Sequence, residues 1–213
     1  MNIMHDLHHV NPHFQRGIKT SRKEILDLFK AWIILGVAFS IAMNGRRFDL
    51  TFLIALFISL ITLGIGFLFH ELAHKFMAQR YGCFAEFRSF DHMLILALIM
   101  SFFGFIFAAP GAVMIQGRLS KRQNGIISAV GPGMNMLVAL LFLALTFTSV
   151  GFWQSIGVYG FMINSWLAIF NMIPFAMFDG AKVLDWSKPV YLLMVAFAIG
   201  LIVLQNLLRM GVV

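Results

Sequence analysis

Charge is what this sequence has least of. Only 12% of its 213 residues are Asp, Glu, Lys or Arg, against about 25% in a typical soluble domain. Hydrophobic residues make up 60%, and the mean hydropathy is +0.87. That leaves too little polar side chain to cover a water-soluble globule of this size. The shortage excludes a soluble enzyme, a disordered tail and a nucleic-acid module. Cysteine is almost absent as well. Cys83 stands alone, which excludes an intrachain disulfide and gives no support to a cysteine-based metal site. The net charge of +7 is spread in clusters between apolar runs, which suits loops beside anionic lipid headgroups rather than a DNA-binding face. The composition is that of an integral membrane protein.

A bilayer-spanning helix takes about 20 largely apolar residues. Six segments approach or exceed that length: Leu28–Met43, Leu50–Arg80, Met93–Ala109, Ile126–Val150, Phe152–Phe178 and Val190–Leu208. The expected fold class is therefore an all-α polytopic membrane protein of five to six hydrophobic segments. A polar stretch over residues 1–27 precedes one membrane domain over residues 28–213. The first apolar run comes too late for a cleavable signal peptide, so it is expected to remain as an anchor.

Lysines and arginines set the orientation. Arg16, Lys19, Arg22, Lys23 and Lys30 place the N-terminal stretch in the cytoplasm. If all six segments crossed, Arg118, Lys121, Arg122, Lys182 and Lys188 would fall outside and the bias would almost vanish. If Met93–Ala109 instead enters and returns on one side, those five join Lys75, Arg80 and Arg88 inside. The outer loop near Thr148–Gln154 then carries no charge. A re-entrant third segment is expected, in a multi-pass cell-membrane protein.

An Asp, Lys or Arg at the centre of a membrane helix costs about 2.5–3.5 kcal/mol, so ionisable residues inside apolar sequence point to function. The outstanding case is His70-Glu71-Leu72-Ala73-His74, directly after an apolar run. On a helix His70 and His74 share one face, close enough to hold one metal ion, and neutral imidazoles suit zinc. Glu71 projects in a neighbouring direction, within reach of a metal-bound water. A catalytic zinc has three protein ligands and one open position. With nine acids in the chain, the third ligand can be sought by elimination. Asp6, Glu24 and Asp27 belong to the polar N-terminal region. Asp49 lies at the far end of the second segment, and Asp185 in a polar loop. Glu86 and Asp91 follow the motif in a polar loop with Arg88 and His92. Asp179 remains, after a long apolar run interrupted by Pro174. A surface-acting protease using Glu86 or Asp91 as third ligand is the alternative, and a non-catalytic metal-binding or metal-transport protein is another. For Asp179 to meet the histidines, an even number of crossings must separate them, which the re-entrant third segment supplies.

These motifs resemble those of the site-2 proteases, a family of intramembrane zinc metalloproteases. The likeness rests on His70–His74, on Asn171-x-x-Pro174-x-x-x-x-Asp179-Gly180, and on Gly131-Pro132-Gly133-Met134-Asn135, which is similar to the family's Gly-Pro-x-x-Asn helix start. It covers about residues 50–186. The resemblance implies one zinc held by His70, His74 and Asp179, with Glu71 as general base and Asn171 near the scissile carbonyl. It implies hydrolysis within a transmembrane segment of a protein substrate. Met93–Ala109 departs from the family pattern as an insertion, and no PDZ-like or nucleotide-sensing module is expected.

An unwound substrate could add to an exposed strand edge, and Phe84–Phe90 and Ala112–Gln116 are the candidate strands, with Ala112 and Val113 as substrate-binding positions. Asn135 is a candidate contact to substrate or to zinc-bound water. His5, His8, His9 and His13 read as a solvated terminus. Gly64, Gly66 and Gly104 read as sites of close helix packing. The expected partners are the lipid bilayer and a transmembrane protein substrate, with no nucleic acid.

Overall fold

A computed structural model describes residues 19–45, 47–106, 110–175 and 177–210. The N-terminal histidines lie outside the described residues. The elements in chain order are α1 (Arg22–Asn44), α2 (Leu50–Arg80), β1 (Phe84–Ser89), α3 (Asp91–Ser101), β2 (Gly111–Gln116), α4 (Lys121–Thr148), α5 (Phe152–Asn171), α6 (Asp179–Trp186) and α7 (Lys188–Arg209).

Short polar side chains fix where several helices begin. Asp49 accepts from the Thr51 and Phe52 amides at the start of α2. Ser120 and Gln123 form a reciprocal capping box at the start of α4, which satisfies N–H groups that have no partner within the helix. Gly45 ends α1 in the left-handed conformation. Pro174 keeps the chain non-helical between α5 and α6, so the fifth apolar segment stops at Asn171 rather than continuing to Phe178.

Helices α1, α2, α4 and α7 are long and apolar enough to cross a membrane. At 20 residues α5 is also about 30 Å long, but Gln154, Ser155, Asn164 and Ser165 dilute its hydropathy. α3 has 11 residues, about 16 Å, and cannot cross. Its surroundings show how the chain turns back. β1 and β2 pair antiparallel with Ser89 opposite Gly111, and the Phe90 amide donates to the Pro110 carbonyl at 2.9 Å. The chain thus leaves the sheet at residue 90 and returns to the same point at residue 110, while α3 packs along α1. This out-and-back path is the one a re-entrant third segment would take. Gly104 does not pack a helix there. It has φ +83° with open space around its Cβ position, so it serves the turn after α3.

α2 lies at the centre. On one side Ile58 joins Met136, Phe142, Ile156, Phe161 and Leu201, from α4, α5 and α7. On the other, Leu63 and Phe67 join Leu28, Leu35, Phe87, Leu94 and Ile163. Gly64 lets the Trp32 indole lie against the α2 backbone, where its N–H donates to the Leu60 carbonyl at 2.9 Å.

A buried ion pair ties these parts together. Glu24, expected in a solvated region, is 0% exposed and Lys75 is 1% exposed. Lys75 Nζ donates to Glu24 Oε2 at 2.6 Å and to Thr20 Oγ1 at 2.7 Å. The other carboxylate oxygen accepts from the Phe87 amide at 3.0 Å. One carboxylate therefore holds α1, α2 and β1 in register, one residue beyond His74. Removing one partner strands a buried charge. Glu24→Ala is expected to cost about 3–5 kcal/mol of stability, read as a fall in the unfolding midpoint in detergent micelles. Replacing both, Glu24→Leu with Lys75→Met, is expected to recover most of that loss. An unchanged midpoint in the single variant would contradict the pairing.

Candidate metal centre

His70 and His74 lie one helical turn apart, about 30 Å along α2 from its start, and both are buried. α4 runs antiparallel to α2, so its first turns reach the same level. α5 then returns, and α6 begins at Asp179 beside the two imidazoles. Between Glu71 and Asp179 the chain runs along the bundle twice, up α4 and back down α5. That course brings Asp179 to the histidines, as an even number of crossings would.

The ring nitrogens face their neighbours in a fixed sense. His74 Nδ1 lies 2.7 Å from the Ile127 carbonyl oxygen, which can only accept, so Nδ1 carries the proton. His70 Nδ1 lies 2.6 Å from Asn135 Oδ1 and donates in the same way. Both Nε2 atoms therefore present lone pairs. They stand 3.0 Å apart, and Asp179 Oδ2 lies 3.1 Å from His74 Nε2 and 3.3 Å from His70 Nε2. Three electron-pair donors converge on one point with no donor hydrogen among them. Such a cluster repels itself unless a cation sits within it. Two imidazole nitrogens and one carboxylate oxygen, mutually within 4.8 Å, are a donor set that zinc accepts.

Glycine keeps that point open. A Cβ on Gly131 would collide with the His74 and His70 rings, so only glycine lets α4 pass this close. The next residue, Pro132, has no N–H for the Ser128 carbonyl, which loosens the turn where the Ile127 carbonyl receives His74. At the other wall a Cβ on Gly180 would strike the Met172 backbone. The Gly180 contact lets α6 start against the end of α5 and fixes Asp179 there.

The remaining candidates are placed as follows. Glu71 is half-buried on the next face of α2. Its carboxyl is flanked by the main chain of Val113 in β2 and by the side chains of His70, Asp179 and Lys182. Val113 and Ala112 stand opposite Phe87 and Arg88 in the sheet, and β1 is the strand that β2 pairs with among the described residues. Asn171 ends α5, with its amide donating to the Leu167 carbonyl at 2.9 Å.

The candidate contact at Asn135 and the alternative ligands Glu86 and Asp91 have other partners in the fold. Asn135 is enclosed. It is 0% exposed, and its amide is spent on His70, on the Gly66 carbonyl at 3.1 Å and on Asn164 Oδ1 at 3.2 Å. Its position supports a ring rather than meeting a ligand. Glu86 and Asp91 are also not drawn to the histidines. Glu86 pairs with Arg88, while Asp91 receives Lys30 at 2.5 Å and Ser89 at 3.1 Å. Among the described residues, the three-residue cluster able to hold a metal is His70, His74 and Asp179. Asn164, on α5, escaped the sequence reading. Its one signal was an amide in the middle of an apolar run.

No family model matches the chain, and no solved structure matches it. Curated relatives do. The chain is 41% identical over 171 residues to "Putative zinc metalloprotease MJ0611" of Methanocaldococcus jannaschii, covering 78% of this chain and 86% of that protein. It is 30% identical over 134 residues to "Putative zinc metalloprotease Rip2" of Mycolicibacterium smegmatis, covering 54% of this chain and 51% of that protein. With four membrane-length apolar helices around a His, His, Asp cluster, and with 41% identity across most of a relative, the chain belongs to the site-2 protease family of zinc metalloproteases.

Proposed function

We propose that this protein is an intramembrane zinc endopeptidase that cuts a peptide bond within or near a transmembrane segment of another membrane protein. The observation that carries the reading is the convergence of His70 Nε2, His74 Nε2 and Asp179 Oδ2 within a bundle of membrane-length helices. In this reading those three side chains would hold one zinc ion per chain. When bound, zinc supplies Lewis acidity, which polarises a carbonyl and readies water for attack near neutral pH.

The chain's own residues do the rest. Glu71 takes the proton from the attacking water and passes it to the leaving nitrogen. Asn171, or a main-chain N–H, donates to the oxygen that becomes negative as the carbonyl turns tetrahedral. A helical substrate hides its peptide bonds in i→i−4 hydrogen bonds and must unwind first. The edge of β2 that faces away from β1 offers the main-chain groups of Val113, next to Glu71, to such a stretch, while those of Ala112 turn towards Arg88 in β1. The lipid bilayer delivers the substrate laterally. The basic loops favour a cell-membrane protein whose N-terminus and site opening face the cytoplasm.

Glu71→Gln keeps the shape of the side chain and removes the proton acceptor. It is expected to retain bound zinc while cleavage of a membrane-embedded reporter falls about 100- to 10,000-fold. An active variant would contradict the general-base role, and a zinc-free wild-type protein would contradict the reading as a whole. The orientation is tested separately, with a single cysteine placed beside Arg118 and a membrane-impermeant thiol reagent, in a background lacking Cys83. Labelling is expected from the side that bears the N-terminus, and labelling from the opposite side alone would overturn that topology.

A further inference from the structure

The tautomer of His70 is held by an amide, and an amide can face either way. If Asn135 turned over, its NH2 would face Nδ1 and drive the ring proton onto Nε2, where it would occupy the lone pair aimed at Asp179. Something must choose the direction.

The choice is made by what the other end of the amide meets. Asn135 Nδ2 has two hydrogens, and two oxygens take them: the Gly66 carbonyl at 3.1 Å and Asn164 Oδ1 at 3.2 Å. The first is a main-chain carbonyl and cannot donate, but the second belongs to another reversible amide. Asn164 is fixed in turn, because its Nδ2 donates to the Gly160 carbonyl at 2.9 Å and to the Thr62 carbonyl at 3.2 Å. Both are main-chain acceptors. The polarity therefore starts at helix carbonyls that can never donate, runs through Asn164 and Asn135, and ends with Nδ1–H of His70. Asn135 and Asn164 are both 0% exposed, so no solvent can repair a reversed link, and each reversal would set an amide oxygen against a main-chain carbonyl oxygen. Gly66 makes room for this chain, since a Cβ there would overlap the Asn164 amide.

We propose that Asn164 is a positioning residue which, acting through Asn135, sets the ring tautomer of His70 and so keeps its Nε2 lone pair aimed at the point shared with His74 and Asp179. The inference rests on the reading of His70 as a zinc ligand. Outer partners of metal-bound histidines typically carry about 10- to 100-fold in metal affinity, and that is the size of effect expected here.

The experiment uses the full chain in detergent micelles and needs no protease substrate. Zinc affinity is measured by chelator competition, and the ring tautomers of the metal-free protein are read by NMR after 15N-histidine labelling. In the wild-type protein His70 is expected to carry its proton on Nδ1. In Asn164→Leu it is expected to populate both tautomers, with zinc bound about 10- to 100-fold more weakly. His74, held by the Ile127 carbonyl, should keep Nδ1–H in every variant and serves as the internal control. Asn135→Ala should lose a similar amount, and adding Asn164→Leu to it should cost nothing more, because both act through one link. Gly66→Ala displaces the Asn164 amide without removing it and should shift zinc affinity in the same direction, which keeps the test open if Asn164→Leu does not fold. Unchanged zinc affinity with His70 still on Nδ1 in both Asn164→Leu and Gly66→Ala would overturn the proposal, as would additive losses at Asn135 and Asn164. If wild-type protein binds no zinc, the protease reading fails, and the His70 tautomer in the variants still decides this one.

Discussion

The fold depends on keeping three electron-pair donors together in a place that water enters poorly. Two imidazole nitrogens and a carboxylate oxygen, each within 3.3 Å of the others, are unfavourable neighbours until a cation joins them. Each surrounding element removes a way for the cluster to relax. The α4 carbonyl of Ile127 and the Asn135 amide hold the two ring protons on the outer nitrogens. Gly131 brings α4 close enough to prevent the rings from turning away, and Gly180 seats the start of α6 against α5. Zinc binding in such a site is favourable because the cost of assembling the ligands has been met during folding.

The same constraint explains the topology. Ligands from α2 and α6 can meet only if the chain between them crosses the membrane an even number of times. In the proposed topology α4 and α5 supply the two crossings. The excursion through α3 returns to its starting point, because residues 90 and 110 are joined by a hydrogen bond at the end of the sheet. The small sheet closes that excursion, and its inner strand is anchored through Glu24 to Lys75, next to His74. A membrane-edge strand and the histidine turn of α2 are thereby one mechanical unit, with Glu71 between them.

How much of this was legible in the sequence follows from chemistry. Nine acids in 213 residues made Asp179 identifiable by elimination, and the i, i+4 histidines declared themselves by helical period. The strands were read within a residue at either end because Gly, Pro and polar residues bound them. Three things were hidden. Glu24 looked like one more acid of the polar N-terminal region, since its partner Lys75 lies 51 positions away. Asn135 looked like a ligand contact, since its direction is set by groups on α2 and α5. Asn164 drew no reading at all, since a single amide in an apolar run does not name its partners. Each takes its meaning from a partner brought near only by folding, and period or spacing within one segment cannot reveal such a pairing.

The central claim is that one zinc ion sits where His70, His74 and Asp179 converge, and diffraction from zinc-loaded crystals recorded on both sides of the zinc absorption edge tests it most directly. The account predicts a single anomalous peak per chain, bounded by the two Nε2 atoms and Asp179 Oδ2, with one coordination position free of protein. A peak held by Glu86 or Asp91, or by the N-terminal histidines with nothing between His70 and His74, would contradict it.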